Sequence, residues 1–351
     1  MRRSRKTLIC ILTTAGLYLL SGGGVYRTLC RQLIERPQTE RMRNVTVEAP
    51  LRAAPERLAA YAPERIGDFE APPLEPVALV QPPPLEPMAT PAPRPGENGA
   101  DTVLETTIEG GMRIKNETKY WVSATEILAQ GPQLRLPAGE PQILIIHTHA
   151  SEAYTQAGLD RYTPSDLNRT EDTQFNVVRI GDELSDILSA AGLQVIHDRG
   201  IYDYPSYTGS YTRSGEAIEQ YLESWPSIRI VFDIHRDALG SNGVVYKTMA
   251  EEEGTVASQV MLLVGTDESG LAHPNWRENL ALALYLQNAV NSGNPTLMRP
   301  VALVSQRYNQ HLTPGSLILE VGSSGNTLRE ALAAIRLFGA AAAPALLELV
   351  E

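Results

Sequence analysis

At 351 residues the chain has the length of two average domains, yet 14 of its 25 prolines fall between residues 31 and 100, which leaves one substantial globular region. The formal net charge is -11, and because residues 1–30 carry five basic and no acidic side chains, the remainder sets 25 basic against 41 acidic groups. So acidic a body lacks the Lys/Arg face that phosphates demand, and nucleic-acid binding is excluded.

Taken in order, the chain opens on Arg2, Arg3, Arg5 and Lys6, followed by an apolar run over residues 8–20 that reaches the length of a membrane span if it continues through Gly22, Gly23 and Gly24 to Tyr26. Residues 1–30 are therefore expected to be a membrane anchor or signal. The basic flank stays on the cytoplasmic side, so the body of the chain is extracytoplasmic. Residues 31–100 read as a Pro-rich extracytoplasmic linker, extended and semi-rigid. The only cysteines, Cys10 and Cys30, precede the globular region, which thus contains no disulfide and no thiolate metal site.

From residue 101 to 351 the pattern is that of a single α/β domain. Strands are expected over 112–121, 143–147, 193–197, 228–234, 244–249, 256–264, 301–305 and 317–321. Helices are expected over 124–129, 175–191 (ended by Gly192), 214–223, 275–290 and 327–351. Strands alternating with helices imply a mostly parallel or mixed sheet with helices on both faces, and ligands of such sheets gather beyond the carboxyl ends of the strands.

The chemistry-bearing residues fall at those ends. After the first apolar strand comes His147-Thr148-His149-Ala150-Ser151-Glu152, with His149 and Glu152 in His-x-x-Glu spacing, and His235 closes the strand that runs through Phe232 and Ile234. A catalytic zinc takes three protein ligands from His and Asp/Glu and keeps a fourth position for water, which suits His149, Glu152 and His235. His147, still in strand register, reads as a neighbour beneath the ligands or as an alternate ligand. Glu171 and Asp172 are alternative sources of the carboxylate. Glu320 closes the apolar strand Leu317-Ile318-Leu319, where a carboxylate is costly unless paired or functional, and it suits a general base. Asp233, Arg236 and Asp237 flank His235 as residues that orient a ligand or pair with one another, and His311 is a candidate substrate contact. His197 and His273 read as ordinary surface or core residues.

Five blocks carry a family resemblance: Met-Arg-Ile-Lys-Asn-Glu-Thr at 112–118, Ile-His-Thr-His-Ala-Ser-Glu-Ala-Tyr at 146–154, Asn-Val-Val-Arg-Ile-Gly-Asp at 176–182, Asp-Ile-His-Arg-Asp-Ala at 233–238 and Leu-Glu-Val-Gly at 319–322. In order and spacing the chain resembles stage II sporulation protein P from about residue 110 onward. The resemblance implies a zinc amidase-like (phosphorylase/hydrolase-like) fold and a membrane-anchored, zinc-dependent N-acetylmuramoyl-L-alanine amidase of peptidoglycan, with endopeptidase action on stem-peptide crosslinks as a further implied activity. It matches His235 to the second strand-end histidine and Glu320 to the catalytic glutamate. As partners at the sporulation septum during engulfment it implies a lytic transglycosylase, stage II protein D, and a membrane protein, stage II protein M. Two other readings of the same residues are a metallocarboxypeptidase or endopeptidase on stem peptides, and a non-catalytic wall-binding scaffold.

Overall fold

The computed structural model describes residues 102–104 and 112–351, apart from Leu167, Asn242 and Gly243. The expected anchor and linker lie outside the described residues. In chain order the strands are β1 (Thr102–Leu104), β2 (Met112–Asn116), β3 (Ile143–Ile146), β4 (Val195–His197), β5 (Ile230–Asp237), β6 (Gly240–Ser241), β7 (Val244–Val245), β8 (Ala250–Glu252), β9 (Thr255–Ala257), β10 (Val260–Gly265), β11 (Val301–Val304) and β12 (Ser316–Ser323). The helices are α1 (Ala124–Gln130), α2 (Val177–Ala191), α3 (Ser210–Ser224), α4 (Trp276–Asn291) and α5 (Leu328–Leu347).

Eight strands form one sheet in the order β1-β2-β11-β10-β12-β5-β3-β4. Its pairs are parallel except β1 with β2 and β10 with β12. The mixed alternative of the expected sheet is thus the one realised. Two short hairpins, β6-β7 and β8-β9, stand outside it.

Strand side chains alternate between faces, so the composition of each central strand decides what each face can hold. On β5, Ile230, Phe232 and Ile234 join the main core with Ile180, Leu184 and Leu188 of α2, whereas Val231 joins a smaller cluster with Leu144, Ile146, Ile228 and Ile218 of α3. Asp233 and His235 continue that second face toward the strand's carboxyl end. On β12, Leu317, Leu319 and Val321 belong to the main core, which puts Glu320 on the same face as His235. Three helices, α2, α4 and α5, share the main core, and α3 packs on the opposite face.

Local signals account for the helix ends. Asn176 caps α2 by accepting from the Val178 amide, and Gly192 ends it in the left-handed region at φ 106°. Thr327 and Glu330 close a reciprocal capping box on α5. Helix α5 is the one helix among the described residues long and apolar enough to cross a membrane, but 67% of its apolar window is buried inside the protein. It acts here as a core helix.

The glycine of the 176–182 block has a packing role. A Cβ on Gly181 would stand 2.5 Å from His197 Nε2 and 2.6 Å from His147 Nε2. In an ordinary helix interior Gly→Ala gains about 1 kcal/mol. Here overpacking against two imidazoles, one of them fully buried, reverses the sign. Gly181→Ala is expected to cost about 1–3 kcal/mol in urea unfolding, and a stabilised variant would contradict this packing.

Candidate functional site

Strands β3, β5 and β12 are neighbours, and their carboxyl ends bring His149, Glu152, His235 and Glu320 to one edge of the sheet. Glu320 and His235 are register partners on adjacent parallel strands. The rings of His149 and His235 meet edge-to-face with centroids 5.2 Å apart. His235 lies between two carboxylates, its Nδ1 3.5 Å from Glu152 Oε2 and its Nε2 3.0 Å from Asp233 Oδ1. The second distance is short but off the line of the N–H, so Nε2 has no well-directed hydrogen-bond partner.

The loop after β3 is tied down by Asp233, whose carboxylate accepts from the Thr148 amide at 2.8 Å and the Thr148 hydroxyl at 2.6 Å. Thr148 Oγ1 also meets Ser214 Oγ of α3 at 2.8 Å. The next residues make a tight turn, in which the Glu152 amide donates to His149 O, and Glu152 O then accepts from the Val177 amide at the start of α2.

Charge is unevenly placed among these groups, of which His149, Glu152 and His235 are buried and Glu320 is half-buried. Burial alone would raise the Glu152 carboxyl, but His235 and the Arg236 guanidinium outweigh it and hold it down at about 2. Burial alone would lower His235, yet Asp233 and Glu152 on either side raise it well above the usual histidine range. His149 is pushed down to about 4, chiefly by burial and then by His235. Glu320 is pushed up to about 8, chiefly by burial, with Glu152 adding to the rise and His235 opposing it. Its Oε2 and His149 Nδ1 are buried without a hydrogen-bond partner. Orphaned polar atoms of this kind are rare in buried positions and are satisfied by water, an ion or a substrate. Among the described residues, no three His, Cys, Asp or Glu side chains stand as a preformed cation cage.

The other expected residues fall in several places. His147 is wholly buried below the cluster. Its Nδ1 faces Ile234 O at 3.2 Å and its Nε2 faces His197 Nε2 at 2.8 Å. A carbonyl only accepts, so Nδ1 carries the proton and Nε2 accepts from His197, which leaves neither nitrogen of His147 free. Glu171 and Asp172 are both exposed, and Asp172 accepts from the Gln174 amide. Arg236 does not pair with Asp233 or Asp237 as expected. Its guanidinium lies 3.8 Å from Glu152 Oε1 and donates to Ala153 O and Asn168 O, while Asp237 pairs with Arg299 at 2.7 Å. His311 makes no hydrogen bond or ring contact with the cluster among the described residues. Its loop reaches the site through Tyr308 instead, whose ring packs on Tyr211 at 5.4 Å.

Aromatic residues missed in the sequence complete the surroundings. Tyr207 stacks on His149 at 4.4 Å with 13° between planes, and Tyr211 lies edge-on to His149 at 5.3 Å and parallel to His235 at 6.5 Å. Arg169 and Asp203, also missed, form a 2.6 Å ion pair beside Glu152. Tyr207, Arg169 and Asp203 come from segments with no periodic signal, and Tyr211 sits in the first turn of α3 ahead of the expected helix, so spacing alone could not have found them.

A family model described as Stage II sporulation protein P matches residues 94–343. A relative, "Stage II sporulation protein P" of Bacillus subtilis (strain 168), is 27% identical over 203 residues, covering 54% of this chain and 47% of its own length. The chain thus spans about half the length of that curated relative. Among solved structures, N-acetylmuramoyl-L-alanine amidase AmiC2 of Nostoc punctiforme is 14% identical over 59% of this chain and 96% of its own, with a TM-score of 0.35. The CwlD amidase from Clostridioides difficile in complex with the GerS lipoprotein is 14% identical over 59% of this chain and 98% of its own, with a TM-score of 0.36.

Proposed function

The chain belongs to the Stage II sporulation protein P family, and on that premise we propose that the site hydrolyses peptidoglycan as a zinc-dependent N-acetylmuramoyl-L-alanine amidase, cutting the amide between the lactyl group of muramic acid and the first alanine of the stem peptide. The observation that carries this reading is the in-register pairing of Glu320 with His235, itself set between Glu152 and Asp233.

The donor set fits a zinc ion held by His149, Glu152 and His235. Two ligand atoms on one tetrahedral ion at the usual bond lengths lie about 3.3 Å apart, close to the 3.5 Å between His235 Nδ1 and Glu152 Oε2. A metal-ligating histidine characteristically turns its other nitrogen to a carboxylate, the place Asp233 occupies. His149 Nδ1 is a buried nitrogen in want of a partner. When bound, the ion would polarise the scissile carbonyl and acidify water.

The protein's own groups do the rest. Glu320 takes one proton of the attacking water at its unpartnered Oε2 as the water oxygen bonds to the carbonyl carbon. It gives that proton to the alanine nitrogen as the C–N bond breaks, and the second water proton also passes to the amine, leaving a lactyl carboxylate and a protonated amine. Burial destabilises the Glu320 carboxylate and so strengthens it as a base, and the positive charge of a bound ion would keep it ionised at neutral pH. Asp233 orients His235, and Arg236 with Arg169 fixes Glu152. As the family implies, the chain would work at the sporulation septum, tethered by residues 1–30, beside stage II proteins D and M.

Product analysis tests the reaction class. Digested sacculi are expected to release intact stem peptides with free N-terminal alanine and glycan bearing free lactyl carboxylates. Shortened or uncrosslinked peptides with intact lactyl amides would instead establish the peptidase reading.

A further inference from the structure

We propose that Arg169 is a positioning residue that sets both Glu152 and His149 for a divalent metal ion; the inference rests on the zinc reading of the site. Arg169 lies in the segment between Glu152 and α2. Its Nη1 is 2.6 Å from Asp203 Oδ2 and donates to Ser151 Oγ at 3.0 Å, and its Nη2 is 3.4 Å from Glu152 Oε1. Its Cζ stands 5.1 Å from the ring centroid of Tyr207, and that ring stacks on His149. One guanidinium therefore touches the carboxylate directly and reaches the imidazole through an aromatic wedge.

Asp203 anchors the arrangement. Its side chain is fully buried and accepts from the Ser151 amide at 3.1 Å and the Ser151 hydroxyl at 2.5 Å. The segment carrying Tyr207 is thus fastened to the turn between His149 and Glu152. Holding Glu152 by Oε1 leaves Oε2 turned to His235. Arg236 also lies near Oε1 at 3.8 Å, so the charge of Glu152 stays countered without Arg169. What Arg169 adds is direction. Only a planar fork meets two carboxylates and an aromatic face at once, and a lysine ammonium does not.

The test is Zn²⁺ affinity of the full-length chain, measured by competition with a chromophoric chelator, for wild type, Arg169→Ala, Arg169→Lys and Tyr207→Leu, with urea midpoints alongside. Losing a residue that orients a metal ligand typically costs 10–100-fold in affinity. That loss is expected for Arg169→Ala, with little recovery in Arg169→Lys and about a tenfold loss in Tyr207→Leu. If Arg169→Ala fails to fold, the other two variants carry the test. Affinities of Arg169→Lys and Tyr207→Leu within twofold of wild type, whether or not the urea midpoint falls, would overturn the positioning role alone. A wild type that binds no Zn²⁺ would overturn the zinc reading as well.

Discussion

Glu320→Gln is expected to cut muropeptide release by about a hundredfold to ten-thousandfold, since it removes a general base and leaves a side chain of the same shape. Substrate binding should change little, so the loss belongs in kcat. The same substitution is expected to stabilise the metal-free chain at alkaline pH. Glu320 has its pKa raised from 4.5 to about 8 in the fold. Below the lower value both folded and unfolded chains hold the proton, and the favourable burial of the neutral acid is fully present. As pH rises toward 8 the unfolded chain ionises first, and wild-type stability falls by up to about 1.4 kcal/mol per pH unit. Gln does not titrate. The melting temperature of the variant should therefore match wild type near pH 4 and exceed it increasingly up to pH 8. Identical pH profiles would mean that Glu320 is not held in these apolar, acidic surroundings, and activity within tenfold of wild type would remove it as the base.

The second large effect is expected at His235. Removing its imidazole takes away the group that joins Glu152 and Asp233 at the end of β5. Those carboxylates keep partners: Arg169 and Arg236 for Glu152, and Thr148 for Asp233. The fold of His235→Ala should therefore survive, as followed by circular dichroism. Zinc binding and cleavage should both fall below detection. A variant that is folded, metal-free and still active would separate the chemistry from the metal.

The central strands and the site's ends were open to reading in the sequence because their signals are local. Apolar runs at β3, β5 and β12 end in His or Glu, and the apolar periodicity of α2, α4 and α5 marks their buried faces. The expected strand over 256–264 instead divides into β9 and β10. The break falls at Ser258 and Gln259, whose amides leave the ladder for Glu330 O and Thr248 Oγ1. The segment expected as a strand over 244–249 shrinks to the two residues of β7. Antiparallel pairing of β10 with β12 had no sequence signal, because buried strands read as apolar runs in either direction. At the site, the apolar runs show that His235 and Glu320 close their strands, whereas their pairing in register is set by the order of strands in the sheet. The ring of Tyr207, Tyr211 and Tyr308 and the Arg169–Asp203 pair are assembled only by tertiary packing. His311 stands out in the sequence because a histidine carries chemistry on its face, whereas Tyr308 gains its role only from the ring it stacks upon.

The measurement that bears most directly on a zinc-dependent amidase is the zinc content of the purified full-length chain, set against the stem peptides it releases from sacculi before and after chelation. One equivalent of zinc, with release of intact stem peptides that stops on chelation and returns with added Zn²⁺, is the predicted result. Release that proceeds unchanged in a zinc-free chain would contradict it.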